Sequence, residues 1–289
     1  MKKTFQVAGH KFSLLMKEGH PLWKELAQYD PFASEGEDTR FDMELVENLE
    51  LPAKSLYFDQ PTEEGETKII IYKSGEDWYF ESMPTSQWPV VMQLWASADF
   101  TKAKLHIVKP SQALFALNNA MMLMFAFSTA AYGTLEMHAS VIQNSGKAYL
   151  FLAKSGTGKS THSRMWLENI EGSTLLNDDN PIVRVLPDGQ IRVYGSPWSG
   201  KTPCYVNEDY PLGAFVQIRR AAENRAIPQN VVASYAMSAI DGETEENAIR
   251  RACAVSAANA TTIESANIPM ETADVLLPKI AVEKVPDGK

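Results

Sequence analysis

Cysteine is nearly missing from this chain. Two occur in 289 residues, Cys204 and Cys253, with no metal-ligand spacing between them, so neither a disulfide framework nor a zinc site is expected. An excess of positive charge is missing as well: 27 Lys and Arg stand against 36 Asp and Glu, a formal charge of -9. An acidic surface repels phosphate backbones, and the basic pairs Arg219-Arg220 and Arg250-Arg251 are short, which argues against nucleic acid as a partner. The first residues, Met1-Lys2-Lys3 followed by Thr4-Phe5-Gln6-Val7-Ala8-Gly9-His10, lack the continuous apolar region of a secretory signal. A reduced, cytoplasmic setting is the expectation. There is no internal repeat and no low-complexity linker, so the two halves of the chain are free to share one core.

Long apolar runs are scarce too, with one exception. Between Ala113 and Tyr132 the chain reads Met121-Met122-Leu123-Met124-Phe125-Ala126-Phe127, interrupted by Asn118, Asn119, Ser128 and Thr129. Those polar interruptions predict a helix buried in a protein core and no membrane span. The helix opens at Pro110 and ends near Gly133.

What is present is ordinary for a globular protein: 45% apolar and 22% charged residues. Residues 1–109 form short strand-like runs with turns between them. Lys68 to Tyr72 and Trp78 to Phe80 predict a hairpin turning at Gly75, and the acidic stretch from Pro31 to Asp42 predicts a surface loop. From residue 110 onward the pattern changes. Strands at 138–143 and 147–152 flank an Asn144-Ser145-Gly146 turn, a helix is expected from Lys159 to about Asn169, and Thr174-Leu175-Leu176 begins another strand. A hairpin at 182–194, a core strand at Ala214 to Ile218 and helices near 229–240 and 243–258 complete the pattern. Alternating strand and helix predict an α/β class with a mixed, α+β-like sheet, divided into a β-rich region 1–109 and a second domain 110–289.

Residues Ala153 to Ser160, Ala-Lys-Ser-Gly-Thr-Gly-Lys-Ser, follow directly on the apolar run Ala148 to Leu152 and open the predicted helix. Strand, glycine-rich turn and helix in that order are the setting of a phosphate loop. Gly156 and Gly158 let backbone N-H groups of Ser155 to Thr161 point at phosphate oxygens, Thr157 lying between them, and the helix adds its positive end. Lys159 would reach the β- and γ-phosphates and Ser160 would ligate Mg²⁺. Ala153 stands where the motif has its first glycine; a positive φ there would strain alanine.

Asp178-Asp179 ends an apolar strand 19 residues beyond Lys159. One carboxylate there can serve Mg²⁺ and its neighbour can accept a proton from an incoming hydroxyl. Adjacent strand residues face opposite sides, so both reach one site only across a bend; Asn-Asp-Asp-Asn is also good turn chemistry. His138 precedes the first of the paired strands, as a packed residue or an active-site one. Gly195-Ser196-Pro197-Trp198-Ser199-Gly200-Lys201 follows another strand and either aims Lys201 at an anion or lets Trp198 cover the core.

His138-Ala139-Ser140, the loop Ser155 to Thr161 and Asn177-Asp178-Asp179, in that order and spacing, resemble the catalytic domain of HPr kinase/phosphorylase. That superfamily is shared with ATP-dependent phosphoenolpyruvate carboxykinase, whose loop also reads Ser-Gly-Thr-Gly-Lys. The resemblance spans roughly residues 135–220. It implies a phosphate loop set among antiparallel-rich strands, Asp178 as acid/base for a substrate hydroxyl, Asp179 and Ser160 near Mg²⁺, and His138 as an active-site neighbour. Ala139 and Ala153 depart from glycines of that family, and its Arg-Gly signature is replaced by Gly195 to Lys201, as in HPr kinase-related proteins with a Gly-x-Pro-Trp-x-Gly-Lys segment. The expectation is a Mg²⁺-ATP-dependent kinase acting on a hydroxyl of a small molecule or protein serine, with Lys201 as a second cation. The alternatives left open are a nucleotide-binding regulatory protein without phosphotransfer, a carboxykinase, and GTP or pyrophosphate as donor. A homo-oligomer is compatible with all of them.

Overall fold

A computed structural model describes residues 1–50, 52–62, 65–200, 202–220, 225–228 and 260–265. The helices expected at 229–240 and 243–258, with Cys253, Arg250 and Arg251, lie outside the described residues, as does Lys201. The protein is mixed α/β, with two mixed sheets and, among the described residues, two α-helices. It divides into two units, Met1–Thr129 and a second beginning at Ala130.

The first unit is a nine-stranded sheet in the order β3-β1-β2-β4-β9-β8-β7-β6-β5. Its strands are β1 (Lys2–Val7), β2 (His10–Leu15), β3 (Ala33–Ser34), β4 (Phe41–Val46), β5 (Ser55–Asp59), β6 (Lys68–Ser74), β7 (Asp77–Met83), β8 (Met92–Ala96) and β9 (Lys102–Ile107). β4 runs parallel to β2 and β9, and every other pairing is antiparallel. The expected hairpin at Gly75 is β6 and β7, closed by Ser74 opposite Asp77.

Helix α1 (Ala113–Thr129) follows a 3-10 turn at Pro110–Gln112. With the 3-10 turns on either side it spans Pro110–Tyr132, long and apolar enough to cross a membrane by length and composition. Yet Ala116, Leu117, Ala120, Met121, Met124 and Phe125 recur on one face, and that face is buried. α1 packs on β4, β8 and β9, and Phe127 stacks on Phe100 at 4.8 Å. This packing moves the division of the chain from 109/110, where the change of pattern put it, to 129/130. A helix joins the sheet that covers its apolar face, whichever elements follow it in sequence.

The second unit holds β10 (Thr134–Glu136), β11 (Ala139–Asn144), β12 (Lys147–Leu152), α2 (Lys159–Asn169), β13 (Thr174–Asp179), β14 (Ile182–Val185), β15 (Ile191–Tyr194), β16 (Asp209–Arg220), β17 (Arg225–Pro228) and β18 (Ala260–Ser265). The order is β10-β14-β15-β16-β12-β11-β13, with β18 pairing β16 and β17. β12 is parallel to β16 and antiparallel to β11. β13 is antiparallel to β11. The strand before the glycine loop and the strand ending in the Asp pair therefore run in the same direction with β11 between them.

β12 reads as an unbroken apolar run because both its faces are buried. Tyr149 and Phe151 join Met165 and Trp166 of α2 in one core cluster, while Ala148, Leu150 and Leu152 join Val183, Ile191 and Val193 in another. Trp166 lies 5.0 Å from Tyr149 and 5.5 Å from Phe151, ring to ring. Ser140 and Ser163 share a buried hydrogen bond of 2.6 Å that pins α2 to β11. The sheet thus fixes both the start of α2 and the end of β13.

Candidate functional site

Between Leu152 and Lys159 the chain turns from β12 into α2. Thr157 N-H donates to Lys154 O at 3.1 Å and closes the turn. Gly156 has φ 75° and Gly158 φ 125°, with open space where a Cβ would sit, so it is backbone conformation and not crowding that calls for glycine at both. Ala153 is not among the residues at positive φ. It is buried with Phe151 and Trp166, so the motif's first glycine is not required here. Gly158 caps α2 with no side-chain acceptor on the first N-H groups, leaving the positive end of the helix facing a cleft of about 460 Å³.

The cleft is lined by loop and helix residues Ser155, Gly156, Gly158, Lys159, Ser160 and Thr161 and, across from them, by His138, Asp178, Asp179 and Gly200. Lys159 is buried, and its Nζ donates to Ala153 O at 3.1 Å. Burial pushes its pKa down, against the pull of Asp179 and Asp178. Ser160 Oγ donates to Asp178 Oδ1 at 3.0 Å. His138 Nε2 lies 3.2 Å from Asp179 Oδ1, on an exposed part of the rim. The structure thus brings together every site residue expected from the sequence except Thr157, which closes the turn, and Lys201, which lies outside the described residues. The direct partner of Ser160 is Asp178, although the resemblance joins Ser160 with Asp179.

The bend that would let both aspartates face one space is present at Asp179, whose φ is 145°. Gly200 N-H donates to Asp178 O at 2.7 Å, and Asp179 bridges to Ser199. In the Gly195 to Gly200 segment Trp198 is buried, as one of the two expectations had it, and Gly200 lines the cleft.

Four further residues drew no role from the sequence alone. Glu136, two residues before His138, feels Asp179; its carboxyl is enclosed although the residue as a whole is half-buried, and burial first and Asp179 second push its pKa up to about 8. Asn177, fully buried, donates to Ser196 Oγ at 3.1 Å; its place at the head of Asn177-Asp178-Asp179 was its signal in the sequence. Cys204 donates to Leu175 O at 3.5 Å, and burial, with Asp178 adding to it, raises the thiol to about 11. His162, one turn into α2, is buried against Phe151, and burial lowers its pKa to about 4.

A hydroxyl and two carboxylates form a hard-oxygen donor set suited to Mg²⁺. No three His, Cys, Asp or Glu side chains gather to hold a metal among the described residues. A divalent ion here would complete its shell from water and phosphate, as Mg²⁺ ordinarily does.

No protein-family model matches the chain, and no curated protein is similar to it. Among solved structures it is similar to the Hpr(Ser) kinase/phosphatase from Coxiella burnetii, with a TM-score of 0.31 and 11% identity over 52% of this chain and 95% of that one. A likeness that shallow leaves the functional reading to the geometry of the cleft.

Proposed function

We propose that the cleft binds Mg²⁺-ATP and passes the γ-phosphoryl group to a hydroxyl of a small molecule or a protein serine. The observation that carries this reading is the meeting of Lys159, Ser160, Asp178 and Asp179 at the uncapped start of α2 in one cleft. Backbone N-H groups from Ser155 to Thr161 would take the phosphate oxygens, and Lys159 would exchange Ala153 O for the β- and γ-phosphates. Asp178 would take the acceptor's proton as its oxygen bonds to the γ-phosphorus and the bond to the bridging oxygen breaks, leaving ADP. Ser160 and Asp179 would hold Mg²⁺, which supplies neutralisation of the phosphate charge when bound. His138 would orient Asp179 from the rim. Lys201 would add a second cation from the segment that ends at Gly200.

A second reading is a nucleotide sensor without phosphotransfer. It is favoured by Asp178 Oδ1 already accepting from Ser160, which competes with its use as a base.

Calorimetry with Mg²⁺-ATP on the wild type and Lys159→Ala tests the nucleotide site. Binding lost in the variant supports it, and no binding by the wild type overturns both readings. Phosphoryl transfer surviving in Asp178→Asn would remove Asp178 as the base. Tight binding with no transfer to any acceptor offered would decide for the sensor.

A further inference from the structure

Asp179 has one of four non-glycine backbones at positive φ among the described residues, with Ala8, Phe100 and Ser145. A side-chain-bearing residue stays in that region only where its surroundings over-determine it. Here the residues on either side of the Asp pair are tied to one hydroxyl. Asn177 Nδ2 donates to Ser196 Oγ at 3.1 Å, and Ser196 Oγ donates to Asn180 O at 2.6 Å. Asn180 N-H in turn donates to Asn177 Oδ1 at 2.9 Å, closing a ring around Asp178 and Asp179. Asn177 and Ser196 are fully buried, so no water competes for the bond between them.

The same segment then touches the pair itself. Gly200 N-H donates to Asp178 O at 2.7 Å, while the Ser199 hydroxyl donates to Thr202 O at 2.6 Å. A Cβ on Gly200 would stand 3.0 Å from Asp179 Oδ2 and 3.1 Å from its Cγ, so the carboxylate rests against a bare Cα.

We infer that Asn177, Ser196 and Gly200 are positioning residues that hold Asp179 in its strained backbone conformation, turning its carboxylate into the cleft beside Asp178. What that carboxylate then serves rests on the Mg²⁺-ATP reading; the clamp itself does not. The role of the Gly195 to Gly200 segment is therefore to shape the acid pair through its backbone, whatever Lys201 contributes.

Full-length Ser196→Ala and Gly200→Ala test this by two readouts. The first is hydrogen exchange at the Gly200 amide, measured in Ser196→Ala. The second is the gain in ATP affinity on adding Mg²⁺, measured in both variants. Exchange at Gly200 is expected to quicken about tenfold or more, and the Mg²⁺-dependent gain to shrink about tenfold, as for other residues that orient a metal ligand. In Ser196→Ala, whose side chain is buried and does not line the cleft, ATP affinity without Mg²⁺ stays unchanged, because the loop and Lys159 are untouched. Unchanged exchange in Ser196→Ala overturns the inference, as does an equal loss of affinity with and without Mg²⁺ in that variant, the mark of general disruption. If the wild type binds no ATP at all, the nucleotide reading falls and the exchange rates alone decide the clamp.

Discussion

Ser160 Oγ and Asp178 Oδ1 meet at 3.0 Å, joining the first turn of α2 to the end of β13 across one intervening strand. Ser160→Ala removes the donor and leaves the carboxylate to water. Stability should fall by only about 1–2 kcal/mol, since the pair is part-buried. If the cleft takes Mg²⁺-ATP, the Mg²⁺-dependent part of the affinity should fall about tenfold or more. Urea melts and calorimetry with and without Mg²⁺ separate the two effects, and an affinity unaltered in both conditions would take Ser160 out of the site.

Restoring the motif's first glycine should not improve the loop. Ala153 is not at positive φ and is buried, and it is its carbonyl that meets Lys159. Ala153→Gly is expected to cost about 1–2 kcal/mol, from added chain entropy and lost burial, with nucleotide affinity unchanged. Tighter binding in the variant would show that alanine strains the loop.

Two buried groups give stability opposite dependences on pH. Folded His162 resists protonation until about pH 4, against 6.5 when unfolded, so its contribution is whole above 6.5 and lost as pH falls from there toward 4, a span worth about 3 kcal/mol at most. Folded Glu136 keeps its proton to about pH 8, against 4.5 when unfolded, so its contribution is whole below 4.5 and lost as pH rises toward 8. Between 4.5 and 6.5 the two slopes offset each other. His162→Phe should therefore leave stability falling from pH 4.5 to 8, and Glu136→Gln should leave it rising from pH 4 to 6.5. Denaturation midpoints across pH 4–8 check both signs; a Glu136→Gln profile parallel to wild type would refute the assignment.

The Cys204 thiol, raised to about 11 and buried, should resist alkylation at pH 8. In a Cys253→Ser background, labelling is expected to be slower than in urea by about a hundredfold or more, as thiolate is both scarce and covered. Rapid native labelling would mean that the packing around Cys204 opens.

Local pattern revealed most elements of the second unit, because turn chemistry and apolar runs are short-range signals. The turn between β11 and β12, the start of α2 at Lys159 and the hairpin of β14 and β15 all fall where residues alone put them. What local pattern does not carry is which surface an element covers. α1 is apolar nearly all round, so its sequence does not say that it packs on β4, β8 and β9. The site divides along the same line. Lys159, Ser160, the Asp pair and Asn177 belong to recognisable motifs, whereas Glu136, and the bond of Asn177 to Ser196, depend on long-range neighbours. The register of β13 on β11, shifted between Val141 and Ile142, likewise has no counterpart in the sequence.

Every described side chain of the cleft comes from one uninterrupted stretch between His138 and Gly200. Building it closes only short loops, and each small loop carries a small entropic cost. Segments added before β10 or after β16 would leave that stretch intact, so the chain can acquire new attachments at either end without rebuilding its cleft.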